Sequence, residues 1–164
     1  MIFKIKIAKN KKDYNIIADL GTIIWTKHYT PIIGSEQVTY MLNKFQSPTA
    51  IEAQIKEGYN YFILLSDERP VGYLSVIEKE NTLFLSKIYV LEECRGQGIG
   101  KFAMDFIQNM AQKLLLNSIS LTVNKYNTNS IKAYEKMGFK NIEALVVDIG
   151  GGFVMDDYKM VKNI

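Results

Sequence analysis

Val90-Leu91-Glu92-Glu93-Cys94-Arg95-Gly96-Gln97-Gly98-Ile99-Gly100-Lys101 follows an apolar run and opens a strongly periodic segment. It therefore reads as a strand end, a glycine-rich turn and a helix N-terminus in succession. Gly96, Gly98 and Gly100 let the backbone approach a ligand with no Cβ in the way. The unpaired N–H groups of the helix's first turn point at whatever sits there. Together they build an anion site, and a phosphate is the expected guest.

Spacing narrows that guest. A triphosphate loop of the form G-x-x-x-x-G-K-[ST] fails, because Gly96 stands one residue too close to Gly100-Lys101 and Phe102 takes the hydroxyl position. The dinucleotide fingerprint G-x-G-x-x-G fails too, with Lys101 where its third glycine belongs. What remains, Arg95-x-x-Gly98-x-Gly100, resembles the turn with which the GNAT acetyltransferase superfamily binds the pyrophosphate of acetyl-CoA.

The 164 residues are 48% hydrophobic and 23% charged, which suits one globular domain over 1–164 with a substantial core. A single cysteine excludes an internal disulfide and fits a reducing, cytoplasmic setting. Met1 to Asn10 alternates apolar residues with lysine, so no secretory leader is expected, and no stretch is apolar enough to span a membrane. A net charge of +3, with lysine evenly scattered, gives no footprint for nucleic acid. One histidine and one cysteine offer no metal-ligand spacing.

Along the chain, Phe3, Ile5 and Ile7 alternate with lysine as in an edge strand. Asp13 can cap a helix carrying Ile16, Ile17, Leu20, Ile24 and Trp25, expected to give way near Tyr29-Thr30-Pro31. A second helix starts near Ser35, and a third at Ser47-Pro48 ends at Gly58. Tyr59 to Leu65, Val71 to Ile77 and Leu83 to Leu91 read as a three-strand antiparallel meander. The helix after the glycine turn presents Ile99, Phe102, Ala103, Phe106, Ile107, Met110 and Leu114 to the sheet. Ile119 to Val123 makes a parallel crossover strand. A short helix from about Asn129 ends at Gly138, and Ala144 to Ile149 pairs with Gly152 to Met160 as a hairpin. The expected fold is α/β of the α+β kind: a mixed, mostly antiparallel seven-stranded sheet with helices on both faces.

Asn127-Thr-Asn-Ser-Ile-Lys-Ala-Tyr134-Glu-Lys-Met-Gly138-Phe139 supplies a second GNAT-like block, in the family's order after the first. The element order is also similar to the family's, which implies splayed central parallel strands and acetyl-CoA as cosubstrate. On this resemblance Gly96, Gln97, Gly98, Ile99, Gly100 and Lys101 hold the pyrophosphate and Arg95 adds a cationic edge. The backbone of Ile88 to Leu91 pairs with the pantetheine arm, and the amide of Tyr89 or Val90 polarises the thioester carbonyl. Asn127 contacts the CoA arm and Tyr134 protonates the departing thiolate. Asn127 could equally cap a helix, and Tyr134 could simply pack its ring.

The general base departs from the family's pattern. Many members carry a glutamate on the strand before the turn, where this chain has Phe84, Leu85 and Ser86. Glu78, Glu80, Glu92, Glu93, the pair Asp156-Asp157 and a water chain stay open as proton acceptors. Cys94 raises a ping-pong route, against which an incidental thiol is the plainer reading. Trp25, His28 and Tyr29 are expected to wall the acceptor pocket, and Asp156 and Asp157 to attract a cationic amine. Thr26-Lys-His-Tyr29 and Gly150-Gly-Gly-Phe153-Val-Met-Asp-Asp157 resemble bacterial polyamine acetyltransferases, more loosely than the CoA motifs match. The expected partner is a small-molecule amine, with a homodimer left open; a non-catalytic acetyl-CoA-binding module is the alternative function.

Overall fold

The computed structural model describes residues 1–164. Its strands are β1 (Phe3–Ile7), β2 (Asn60–Ser66), β3 (Arg69–Lys79), β4 (Thr82–Val90), β5 (Ser118–Asn124), β6 (Lys140–Gly150) and β7 (Phe153–Asn163). The helices are α1 (Lys11–Ile33), α2 (Ser35–Phe45), α3 (Pro48–Lys56), α4 (Ile99–Lys113) and α5 (Thr128–Lys136). The sheet runs in the order β1-β2-β3-β4-β5-β7-β6, so β1 is the edge strand the lysine alternation predicts. The one parallel ladder, β4 with β5, covers Thr82–Phe84 against Ser118–Ser120. A parallel ladder of three residues fits the expected splay of these two strands.

Three sequence expectations are corrected at element ends. The cap of α1 is Asn10, whose side chain accepts from the Asp13 N–H at 3.0 Å. Asp13 lies inside the helix, accepting from Lys9 N at 2.9 Å and from Lys6 Nζ at 3.0 Å. Nor does α1 stop at Pro31: it continues to Ile33 and ends at Gly34, whose N–H donates to the Thr30 carbonyl and whose positive φ of 86° suits glycine. A proline so near the end removes one N–H from the last turns, where the Thr30 hydroxyl already donates to the Thr26 carbonyl at 2.5 Å. The final hairpin is longer than expected at both ends, because Lys140 pairs with Val161 and Asn163 pairs with Ser118. Ladder pairing extends strands through polar residues that carry no alternation signal.

The core face of α4 is also shifted. Ile99, Ala103, Met104, Ile107 and Ala111 are buried, whereas Phe102 and Leu114 are exposed. Phe102 covers the Phe3 ring instead, at 5.7 Å between centroids. Of the buried stripe, Ile99, Ala103 and Ile107 lie on the predicted face, whereas Met104 and Ala111 were not named from the sequence.

The chain divides into two compact units. One comprises Met1–Ile77 and Lys87–Ile107, the other Glu78–Ser86 and Gln108–Ile164. In the first, Gly72 on β3 meets β4 so closely that a Cβ would lie 2.3 Å from the Tyr89 carbonyl oxygen. Only glycine fits there, and the Leu91 N–H donates to the Val71 carbonyl at 2.8 Å beside it.

Candidate active site

In the first unit, the 3-10 turn Glu92–Cys94 carries the chain from β4 into the glycine segment. Gly96 and Gly98 sit at φ of 74° and 94°, where a side chain is strained. Nothing lies within 4 Å of the Cβ position at Gly96 or Gly100, and at Gly98 only the Phe3 ring does, at 3.9 Å, so the three glycines leave an open cradle that side chains would fill. The Phe102 N–H donates to the Gly98 carbonyl at 3.0 Å and starts the α4 ladder. The N–H groups of Ile99, Gly100 and Lys101 precede that bond and are available to an anion at the positive end of the helix dipole. The pyrophosphate of acetyl-CoA fits such a cradle. Arg95 is partly committed, since its Nε donates to the Val90 carbonyl at 3.1 Å, and Lys101 pairs with Asp105 at 3.0 Å. The donors left for an anion at this turn are therefore mainly backbone N–H groups. Leu91 is likewise unavailable as a donor to a pantetheine arm, its N–H being taken by Val71; the expected backbone pairing contracts to Ile88, Tyr89 and Val90.

Tyr89 gathers the aromatic residues named from the sequence. Its ring lies 5.4 Å from Trp25 and 6.2 Å from Tyr29, and its hydroxyl is 3.2 Å from that of Tyr29. His28 packs edge-on against Tyr29 at 4.8 Å. Trp25 is only 3% exposed, so it backs the cluster while His28 and Tyr29 reach its surface. A cleft of about 280 Å³ opens beside it, lined by Lys27, His28, Leu91, Glu92, Glu93 and Arg95. Glu92 pairs with Lys27 at 2.5 Å and Glu93 with Arg69 at 3.6 Å. The hydrogen bond from Lys27 holds the Glu92 carboxyl below its ordinary value, the wrong direction for taking a proton near neutrality. Cys94 is a buried free thiol.

The sequence reading missed a polar network beneath these residues. Tyr61 donates to Gln54 Oε1 at 2.5 Å, Tyr73 to Gln46 Oε1 at 2.5 Å, and Lys87 Nζ to Gln54 Oε1 at 3.2 Å. Burial pulls the Lys87 amine down to about 8 and pushes both phenols up. A lysine inside the apolar run Leu83 to Leu91 was the one available signal.

In the second unit, Asn127 caps α5 through its backbone alone. It is 5% exposed, its carbonyl accepts from the Ile131 N–H at 3.1 Å, and its side chain makes no cap bond. Of the two roles open to it, capping by the side chain is thus unused. Tyr134 lies on α5 with its ring 5.7 Å from Phe139, and Gly138 turns the chain at φ of 99°. On β7, Asp156 pairs with Lys125 at 2.8 Å. Asp157 is buried, and its carboxyl is raised to about 6 by desolvation and then by the neighbouring Asp156 charge.

The profile of the Acetyltransferase (GNAT) family matches residues 24–139, which spans the glycine cradle, Asn127 and Tyr134. The chain belongs to the GNAT acetyltransferase family. Members of this family take their acetyl group from acetyl-CoA. Peptidyl-lysine N-acetyltransferase YjaB of Salmonella typhimurium is 32% identical over 86 residues, 52% of this chain; the chain spans about half, 53%, of that relative's length. The PaiA N-acetyltransferase of Thermoplasma acidophilum, solved with coenzyme A, superposes with a TM-score of 0.82 at 19% identity, covering 100% of both chains. A spermidine N-acetyltransferase SpeG chimera from Vibrio cholerae and hSSAT superposes at 0.70 with 17% identity, covering 98% of this chain and 94% of its own. At such identities these two structures show a common GNAT fold.

Proposed function

We propose that this GNAT chain is an N-acetyltransferase acting on a primary alkyl amine, a polyamine foremost, by direct transfer within a ternary complex in the cytosol. The observation that carries the reading is the open glycine cradle at the start of α4. Acetyl-CoA would supply an acetyl group activated as a thioester. Gly96 to Lys101 would hold its phosphates through backbone N–H groups, Ile88, Tyr89 and Val90 would bind the arm, and Asn127 would add a side-chain contact. Tyr134 would deliver a proton to the departing sulfur. The names of two similar proteins concern peptidyl-lysine and spermidine, and both acceptors are primary alkylammonium groups. His28 and Tyr29, backed by Trp25, would meet the acceptor's hydrocarbon and cation, and Asp156 and Asp157 its charge. Direct transfer is favoured because the Cys94 thiol is buried.

Release of free CoA, followed across polyamines, amino sugars, aminoglycosides, lysine peptides and peptide N-termini, tests this. Turnover highest on polyamines is expected. Tight acetyl-CoA binding without turnover on any amine would instead favour a binding module, the reading suggested by the strand's missing glutamate. Tyr134→Phe should lower turnover by about a hundredfold or more while leaving acetyl-CoA affinity within twofold to threefold. Unchanged turnover removes the proton-donor role.

A further inference from the structure

Asp156 and Asp157 are neighbours on β7 with opposite surroundings. Asp156 has Lys125 as its partner at 2.8 Å and keeps about a third of its side-chain exposure (32%). Asp157, on the other strand face, is 6% exposed, and the charge that acts on it is that of Asp156. A carboxylate largely withdrawn from water beside a like charge costs stability in its ionised form, which marks Asp157 off from the exposed carboxylates of the chain. The ladder sets Asp157 opposite Asn124, the last residue of β5, and opposite Leu145 on β6. Asn127 N–H donates to the Asn124 carbonyl at 3.0 Å, so Asp157 stands where β5 ends and the turn bearing Asn127 leads into α5 and Tyr134. The carboxyl ends of parallel strands are where open α/β sheets place their ligands.

We propose that Asp157 is the general base of acetyl transfer, taking a proton from the acceptor's ammonium group. The assignment rests on the N-acetyltransferase reading. In the balanced step, the ammonium gives one proton to the Asp157 carboxylate and its nitrogen lone pair forms the N–C bond to the acetyl carbon. The C–S bond breaks, Tyr134 supplies the thiol proton, and the second nitrogen proton restores Tyr134 through solvent. Asp157 then returns its proton to water, so one proton is released per acetyl group moved.

The surroundings suit that task. Burial first, and the Asp156 charge second, raise Asp157 to about 6, so it is ionised at pH 7 yet a far better proton acceptor than an ordinary aspartate. The charged groups around it are Asp156, Lys125 after β5, and the β6–β7 pair Glu143 and Lys159 two steps along the ladder. Lys125 is engaged by Asp156, whose hydrogen bond raises the lysine's pKa. Among the other carboxylates considered, Glu92 and Glu93 are exposed and ion-paired, and Glu78 and Glu80 are exposed.

The test compares wild type with Asp157→Asn and Asp157→Ser, using acetyl-CoA with spermidine and with a lysine peptide from pH 5 to 9. Wild-type kcat/KM should rise through about pH 6. Both variants should bind acetyl-CoA normally by calorimetry, lose kcat by about a hundredfold or more and lose that limb. Their melting midpoints should exceed the wild type's at pH 7 and match it at pH 4, since a buried charge beside a like charge has been removed. Either variant folded, with wild-type kcat and an unmoved limb, overturns the assignment. Wild type that binds acetyl-CoA but acetylates neither these two amines nor any other of the panel above overturns the transferase reading itself, and the assignment falls with it.

Discussion

At the residue scale, burial decides which charged groups can do chemistry, and Lys87 shows the effect on a cation. Its folded pKa of about 8 lies below the ordinary 10.5, so the folded chain gives up that proton more readily than the unfolded chain does. A depressed lysine costs stability while both states are protonated, and the cost fades as pH rises from about 8 toward the unfolded value. Wild-type melting midpoints, followed by circular dichroism, should therefore climb between pH 8 and about 9.5, before unfolded tyrosines begin to titrate near 10. Lys87→Met should be more stable than wild type at pH 7 and show no such climb. A climb of equal size in the variant would assign it to another group. Asp157 follows the opposite sign: a raised carboxyl lowers stability as pH rises through its folded value of about 6. Both residues lower the stability of the fold at neutral pH.

At the scale of elements, the contact between β3 and β4 sets the strand that enters the cradle. Gly72 lets the Tyr89 carbonyl approach where a Cβ would be at 2.3 Å, and the Val90 Cα would lie 3.1 Å from that same Cβ. Both obstacles are backbone, which cannot rotate aside. Gly72→Ala should cost on the order of 2–3 kcal/mol in urea unfolding, as overpacking does, and should weaken acetyl-CoA binding because Tyr89 and Val90 are displaced. The exposed Arg69→Ala on the same strand should stay within about 0.5 kcal/mol. A Gly72→Ala protein as stable as wild type would mean the strands separate without penalty. Gly72 sits in a run, Val71 to Ile77, that reads as an ordinary strand, and nothing local marks it. Gly96 and Gly98 were legible because their motif spacing, and not their neighbours across the sheet, gives them away.

For the whole molecule, the way the chain is shared between the two units governs cooperativity. Each unit is assembled from two separated segments, and β4 and α4 each contribute to both. The chain is accordingly expected to unfold as one domain in a single transition. A fragment of residues 108–164 lacks Thr82–Phe84, the ladder partner of Ser118–Ser120, and should show no cooperative melt; a cooperative melt of that fragment would mean its unit folds independently. Sequence alone determined the donor: glycine spacing, the helix period that follows it, and the Asn127 to Phe139 block are local patterns whose backbone consequences need no distant partner. It also determined the strand and helix order, because alternation and helical periodicity are written along the chain. Only the tertiary structure separated Asp157 from Asp156, two identical and adjacent residues. One is met by Lys125 and the other is buried on the opposite face of β7. Likewise, only folding brought Gln54 and Tyr61 to Lys87. Desolvation and pairing are set by residues far away along the chain, so the physical state of a charge emerges only when β5, β6 and β7 have closed around it.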